Sequence, residues 1–298
     1  MVTFADENVD QADGALTLKG TMENIDQIPI YDSAQHRSTA LEELQAIVKY
    51  RNLVVQFTRR DILTRYKRSV LGVGWTMLNP LGTMLILTIV FSRAFGQSQP
   101  GYAVYVLSGL VAWNFFAQST NAAIVHLVWG GSLLRRIYLP RSVFAVSAIG
   151  TALVNITLSL VPLIIVMLIV KVPISWTFIF VPVPVLFLAM FSLGLGLLIS
   201  TVAIYYSDVA EMYAILLTAW MYLSPVIYPP EILPEVYQLW IVRLNPMYHL
   251  INLFRAPIYL GEIPGMRDIL ICALLSLITL LVGWMAFTSK SDEFAYRV

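Results

Sequence analysis

From about Trp75 to Ser289 the chain is a series of long apolar runs separated by short polar breaks, and the centres of the runs carry almost no ionisable side chain. A helix needs roughly 20 predominantly apolar residues to cross a bilayer's hydrocarbon core. The runs predict six such helices, at about residues 76–95, 102–128, 143–170, 178–204, 209–227 and 269–288. Upstream, from Leu41 to Thr58, the pattern becomes amphipathic. Leu44, Ile47, Val48, Val54 and Val55 alternate there with Glu42, Glu43, Lys49 and Arg51, which predicts a helix lying along the membrane surface. Residues 1–40 are polar and acidic, with too little apolar density for a core of their own. They also lack the basic start and apolar stretch of a secretory signal, so the first spanning helix is expected to direct insertion. The expected fold is an all-α integral membrane protein in three parts: a polar acidic extension (1–40), an amphipathic interface helix with a basic flank (41–75) and a six-span domain (76–298).

The breaks between runs differ in kind. GQSQPG, residues 96–101, is a short uncharged turn. Residues 228–267 form a long, amphipathic connection too apolar for a solvated loop. Pro225, Pro229, Pro230, Pro234, Pro246 and Pro257 divide it into short helices, expected to re-enter the membrane with protein covering their broken backbone. Within the runs, Pro162, Pro182 and Pro184 predict kinks in the third and fourth spans. Ser192, Gly196 and Ser200 form a small-residue face on which another helix can pack closely.

Composition agrees: 58% of residues are hydrophobic and 12% charged, and the mean hydropathy of +0.74 is too high for a soluble globular surface. The net charge of +1 conceals a segregation, because Lys49 to Arg68 holds seven of the 19 basic residues and half of the 18 acidic ones precede Leu44. The stretch RRDILTRYKRSVLGVGW at 59–75 suits anionic cytoplasmic headgroups. Arg135, Arg136 and Arg141 lie between the second and third spans, whereas the loops after the first and third offer only Arg93 and Lys171. By the positive-inside rule both termini are cytoplasmic. No nucleic-acid partner is expected.

The missing residues narrow the chemistry. A proton- or sodium-coupled carrier keeps an ionisable group within the bilayer despite its cost, and none is found at mid-span. His126, Asp208, Glu211 and Asp268 fall near helix ends. Asp208 and Glu211 read as a capping-box-like helix start or as contacts to a cytoplasmic partner. No HExxH, GxSxG or paired intramembrane carboxylate supports an enzyme, and no GxxxxGK[ST] phosphate loop binds ATP. The single Cys272 has neither a disulfide partner nor a metal-ligand companion. No catalytic residue, metal site or cofactor is assigned to the chain, and energy for active transport must come from another polypeptide.

Four segments, RDILTRYKRSVLGVGWTMLNP (60–80), LLRRIYLPR (133–141), YLSPVIYP (222–229) and LNPMYHLINLFR (244–255), resemble the membrane subunits of ABC-2-type polysaccharide exporters. These are the permeases of O-antigen, teichoic acid and capsule export, and the resemblance runs from about Leu41 to the C-terminus. It implies a homodimer of six-helix subunits in the inner membrane. Two copies of a separate ATP-binding protein carry ATP and Mg, and the cargo is a polyprenyl-diphosphate-linked glycan, with O-antigen the first expectation and teichoic acid the second.

The family's coupling helix maps to residues 129–141. Trp129, Leu133, Leu134, Ile137 and Tyr138 would supply apolar contact to the ATPase, and Arg135, Arg136 and Arg141 would either pair with its acids or anchor the loop at headgroups. The segment Leu41 to Thr58 resembles the interface helix near the lipid entry. Arg59, Arg60, Arg65, Lys67 and Arg68 are there either diphosphate ligands or an ordinary basic flank. A glycan passage calls for rings and small polar groups. Helical spacing puts Tyr213, Leu217, Trp220 and Ser224 on one face of the fifth span and Thr76, Asn79 and Thr83 on one face of the first, although aromatics also mark membrane interfaces. Competing readings are an ABC-2 exporter of lipids or drugs, a membrane-embedded enzyme of glycan assembly and a secondary carrier.

Overall fold

The computed structural model describes residues 40–67, 69–95, 101–129, 140–206 and 208–290, and every regular element among them is helical. The amphipathic segment forms two helices, α1 (Ala40–Lys49) and α2 (Arg51–Tyr66), where one had been expected. The bend is at Tyr50, whose carbonyl still accepts from Leu53 and Val54 at 2.8 and 3.2 Å, so the helical bonding turns without breaking. With no Gly or Pro to stop it, α2 carries the helix through Arg59, Arg60 and Arg65 to an extended Lys67.

The long helices follow: α3 (Gly74–Phe95), α4 (Tyr102–Trp129), α5 (Ser142–Val170), α6 (Pro182–Tyr205) and α7 (Asp208–Leu223), then the shorter α8 (Pro246–Arg255), and finally α9 (Met266–Lys290). Four segments are long and apolar enough to cross a membrane: Gly74–Phe91, Ser142–Val170, Trp176–Tyr205 and Met266–Lys290. Helix α4 has the length, at 28 residues, but Asn114, Gln118, Asn121 and several hydroxyls dilute it.

Prolines set two boundaries that hydropathy alone places elsewhere. Helix α7 stops at Leu223 because Pro225 disfavours helical backbone at the residue before it. Ser224 closes the helix, its N–H bonding the Trp220 carbonyl at 2.9 Å. The fourth apolar run divides into a 3-10 turn, Trp176–Phe180, and α6, which opens on Pro182. There the absent N–H costs no bond, so Pro182 and Pro184 start the helix where kinks had been expected. The connection after α7 is broken into short turns, as its prolines predict. Pro246 opens α8, and Pro257 lies in a wider π turn, Ala256–Leu260.

Helix α4 forms the centre, with Val104, Leu107, Phe116 and Ile124 almost wholly buried among α3, α5, α6, α7 and α8. The outside is apolar too: Leu85, Ile86, Ile89 and Val90 on α3 and Leu274, Ile278, Leu281 and Val282 on α9 are exposed, an arrangement suited to lipid. Helices α6 and α9 cross most closely at Gly194 and Gly283, where a side chain on either glycine would strike the other helix's backbone. Gly196 packs on Ala123 and Thr120 of α4, with Ser192 and Ser200 buried beside it.

Contacts at the two ends show the helices running alternately up and down. At one end Asp61 of α2 meets His126 near the end of α4 at 3.5 Å. Ser142, opening α5, donates to Glu43 of α1 at 2.5 Å, and Trp284, near the end of α9, donates to the Ala40 carbonyl at 3.2 Å. At the other end, the start of α4 meets the turn after α7, and Thr177 donates to the Pro257 carbonyl at 2.9 Å.

Candidate functional site

The basic flank divides between two recesses. Arg59, Arg60 and Lys67, all exposed, border an open groove of about 720 Å³ with Ile62, Leu63 and Val73 on its floor. The groove is therefore amphiphilic, with an apolar floor and cationic rim. Arg60 lies 4.9 Å over the Phe57 ring and pairs with Asp61 at 3.2 Å. Arg65 instead reaches the second recess, and Arg68 lies outside the described residues.

That second recess is a polar cleft of about 270 Å³ between α3, α4 and α5. Thr76 and Asn79 of α3 face Asn114 and Gln118 of α4 and Asn155 and Ser159 of α5, with Arg65, Ser69 and Trp75 also lining it. Asn155 donates to Gln118 at 3.3 Å. Pro80, also on the wall, has no N–H for the Thr76 carbonyl one turn earlier. Thr83 is exposed one turn beyond Asn79, to whose carbonyl it donates at 3.1 Å.

The expected face of α7 forms, and it packs inside the chain. Tyr213 is buried and donates to Thr120 of α4 at 2.8 Å. Leu217 is buried beside it, and Trp220 meets Phe116 and Trp113 edge-on at 5.3 and 6.3 Å. Ser224, fully buried, accepts from Asn245 at 2.9 Å. Asn245 caps α8 by accepting from the Met247 N–H and also accepts from the Trp220 indole, each at 3.0 Å. One carboxamide thus ties α7 to α8.

A clasp that sequence reasoning did not assign lies nearby. Arg255, 3% exposed, donates to the carbonyls of Pro225 and Val226 at 2.7 and 2.5 Å and stacks 3.8 Å over the Tyr105 ring. Tyr102 and Tyr105 donate to the carbonyls of Ile227 and Tyr228 at 2.9 and 3.0 Å. A side chain on Gly109 would collide with Arg255. Burial pushes the guanidinium's pKa down, and the neighbouring Tyr105 and Tyr248 oppose the shift. The available signal was a lone arginine ending the mostly apolar LINLFR. The cleft's signal was Asn114 and Gln118, one helical turn apart within a membrane-length run. Both escape a search restricted to ionisable groups at mid-span.

Of the coupling segment, Arg141 is described, half-buried at the start of α5, together with the backbone of Trp129 ending α4. Leu133, Leu134, Arg135, Arg136, Ile137 and Tyr138 lie outside the described residues. Among the described residues no group of three or more His, Cys, Asp or Glu could hold a metal ion.

Residues 52–259 match the family model for the ABC-2 type transporter. The chain belongs to the ABC-2 type transporter family. This ABC-2 chain is 28% identical over 256 residues to the O-antigen export system permease protein RfbA of Myxococcus xanthus, covering 86% of the chain and 98% of the relative. A protein of the same name from Klebsiella pneumoniae is 26% identical, over 82% of the chain and 94% of the relative. The polysialic acid transport protein KpsM of Escherichia coli is 22% identical, over 78% and 91%. The apolar helices and the family together make this ABC-2 chain a multi-pass membrane protein. Two of its recognisable segments, 222–229 and 244–255, meet in the Arg255 clasp.

Proposed function

We propose that the chain is the permease subunit of an ATP-driven exporter that moves a polyprenyl-diphosphate-linked polysaccharide, O-antigen first among the candidates, across the inner membrane. The observation that carries this reading is similarity to polysaccharide export permeases over nearly their whole length. The chain works as a homodimer on two copies of an ATP-binding protein that holds ATP and Mg, and performs no catalysis itself. Helices α3, α4, α5, α6, α7 and α9 are the six spans. The end that gathers α1, α2 and the start of α5 faces the cytoplasm, together with both termini, in accord with Arg59, Arg60, Arg65 and Arg141 at that end.

In this arrangement residues 129–141 dock on the ATPase. The groove beneath Arg59, Arg60 and Lys67 receives the lipid, its floor taking the isoprenoid and its rim the diphosphate. Both requirements of an amphiphile are then met on one surface. Thr76, Asn79 and Thr83 border the passage, while Tyr213, Leu217, Trp220 and Ser224 hold α7 against α4 behind it. The segment 228–267 re-enters from the outside, and its buried polar backbone is satisfied by the Arg255 clasp.

Native mass analysis of the chain, purified with its genetic neighbours in mild detergent, tests the assembly. A two-plus-two complex that hydrolyses ATP is expected. A stable chain that recruits no ATPase, or that turns over a lipid-linked sugar by itself, would overturn the reading.

A further inference from the structure

Asn114 and Gln118 straddle the middle of α4, and Asn155 is near the middle of α5, so the cleft lies at bilayer depth. Gln118 is exposed on the surface of the chain and Asn114 is half-buried. Carboxamides facing hydrocarbon would forfeit their hydrogen bonds at substantial cost. Gln118 and Asn155 satisfy one another in part. The side chains of Asn79 and Asn114 make no hydrogen bond among the described residues. Some polar occupant must meet this surface.

The geometry points to a saccharide subsite: the carboxamide cleft of Asn79, Asn114, Gln118 and Asn155 binds the hydroxyls of sugar residues that follow the diphosphate. The assignment rests on the export reading and adds to it a place where the glycan is held. Each carboxamide presents donors and acceptors side by side, matching hydroxyls that donate and accept at once. No carboxylate lines the cleft, and its single charge is Arg65, so it is built for an uncharged polar chain. At about 270 Å³ it is at the lower edge of small-ligand clefts, a fit for a short stretch of polymer. Trp75, exposed on the cleft's border, offers a ring for a sugar face. Arg65 and Ser69 in this cleft alternate along the chain with Lys67 in the groove. A diphosphate and its first sugars, covalently adjacent, would thus meet the groove's cations and the cleft's carboxamides on either side of one short segment, 65–69.

Cysteine accessibility tests the subsite, because Cys272, the only cysteine in the sequence, is buried and can be changed to Ser as a silent background. Asn79→Cys, Asn114→Cys and Gln118→Cys chains, assembled with their ATPase in native membranes, are treated with a charged, water-soluble thiol reagent and with an uncharged membrane-soluble one. We expect the charged reagent to label all three, and labelling to slow in cells that accumulate lipid-linked glycan relative to glycan-deficient cells. Labelling by the uncharged reagent alone would place the face in lipid. Labelling by neither would show it sealed, by a second copy or by packing, and unchanged labelling in glycan-loaded cells would leave it a water-filled passage without a subsite; each overturns the inference. In parallel, Asn114→Leu with Gln118→Leu should lower glycan export by about tenfold or more, since the change removes hydrogen-bond partners of substrate hydroxyls. Chain level and ATPase co-purification should be retained, and Asn114→Gln, which keeps a carboxamide, should lose less export than Asn114→Leu. Full export by the double variant would sink the subsite while the export function stands. Absence of any ATPase from the parent complex would fail the export reading itself.

Discussion

The clasp around Arg255 and the cleft around Gln118 are made of similar material, polar side chains within an apolar helical body, and they use it in opposite ways. In the clasp both terminal guanidinium nitrogens donate to carbonyls freed by the Ser224–Pro225 turn, and Tyr102 and Tyr105 satisfy the next two. In the cleft the buried Asn155 donates to the exposed Gln118 at 3.3 Å, and Asn114 beside them is half-buried. A network whose bonds mostly end within the chain, with only the Arg255 Nε left over in the clasp, fixes structure, and an open one recognises something else. Polarity inside the membrane-spanning part of a protein therefore has to be judged by whether its hydrogen bonds end within the chain.

The contrast can be broken most violently at Arg255. Arg255→Leu leaves the Val226 carbonyl without its donor and the Pro225 carbonyl with only a 3.4 Å bond from Tyr105, and about 2–4 kcal/mol of stability should disappear with two hydrogen bonds from a charged group. The half-life of the detergent-solubilised chain at raised temperature, followed by tryptophan fluorescence, would register it; an unchanged half-life would mean the clasp is not structural. The opposite dissociation is predicted for the cleft. Asn114→Leu with Gln118→Leu should lose export and shorten that half-life far less than Arg255→Leu does, because the pair gives up a single long bond, from Asn155 to Gln118 at 3.3 Å. If the two sites behave alike in this assay, the distinction between them is false.

Smaller effects sharpen the comparison. Asn245→Ala removes the α8 cap and the link to Trp220 and Ser224, which should cost about 1–2 kcal/mol, measured by the same decay. Lys67→Gln or Arg59→Gln should leave the half-life untouched and weaken lipid-linked substrate binding by about fivefold, corresponding to about 1 kcal/mol for one basic side chain at an anionic surface. Raised salt should erase much of that difference. A salt-independent loss would argue that these residues act through folding.

Much of the fold was legible because hydropathy and proline act locally. The run from 143 to 170 follows from composition within a few neighbouring residues, and the prolines after Ser224 foretell short helices there. The end of α7 was legible in principle, since Pro225 is in plain view, yet the apolar residues through Ile227 masked it. The interior of the sites was less accessible. Gln118 meets Asn155 across 37 positions, and Tyr105 meets Tyr228 across 123, pairings that depend on how helices pack. The five basic residues at 59–68 read as one cluster along the chain. Helical periodicity puts Arg65 on a different side of α2 from Arg59 and Arg60, so Arg65 lines the polar cleft while Arg59, Arg60 and Lys67 border the groove.

The modest apolarity of α4 also matters during synthesis. This helix leaves the ribosome before α5, α6 and α8, on which most of its burial depends. Its asparagines and glutamine oppose spontaneous partitioning into lipid. The nascent segment must therefore wait at the lateral gate of the insertion machinery, or beside a membrane chaperone, until later helices arrive to cover it. Assembly becomes a matter of timing, in which the central helix is among the first made and among the last released.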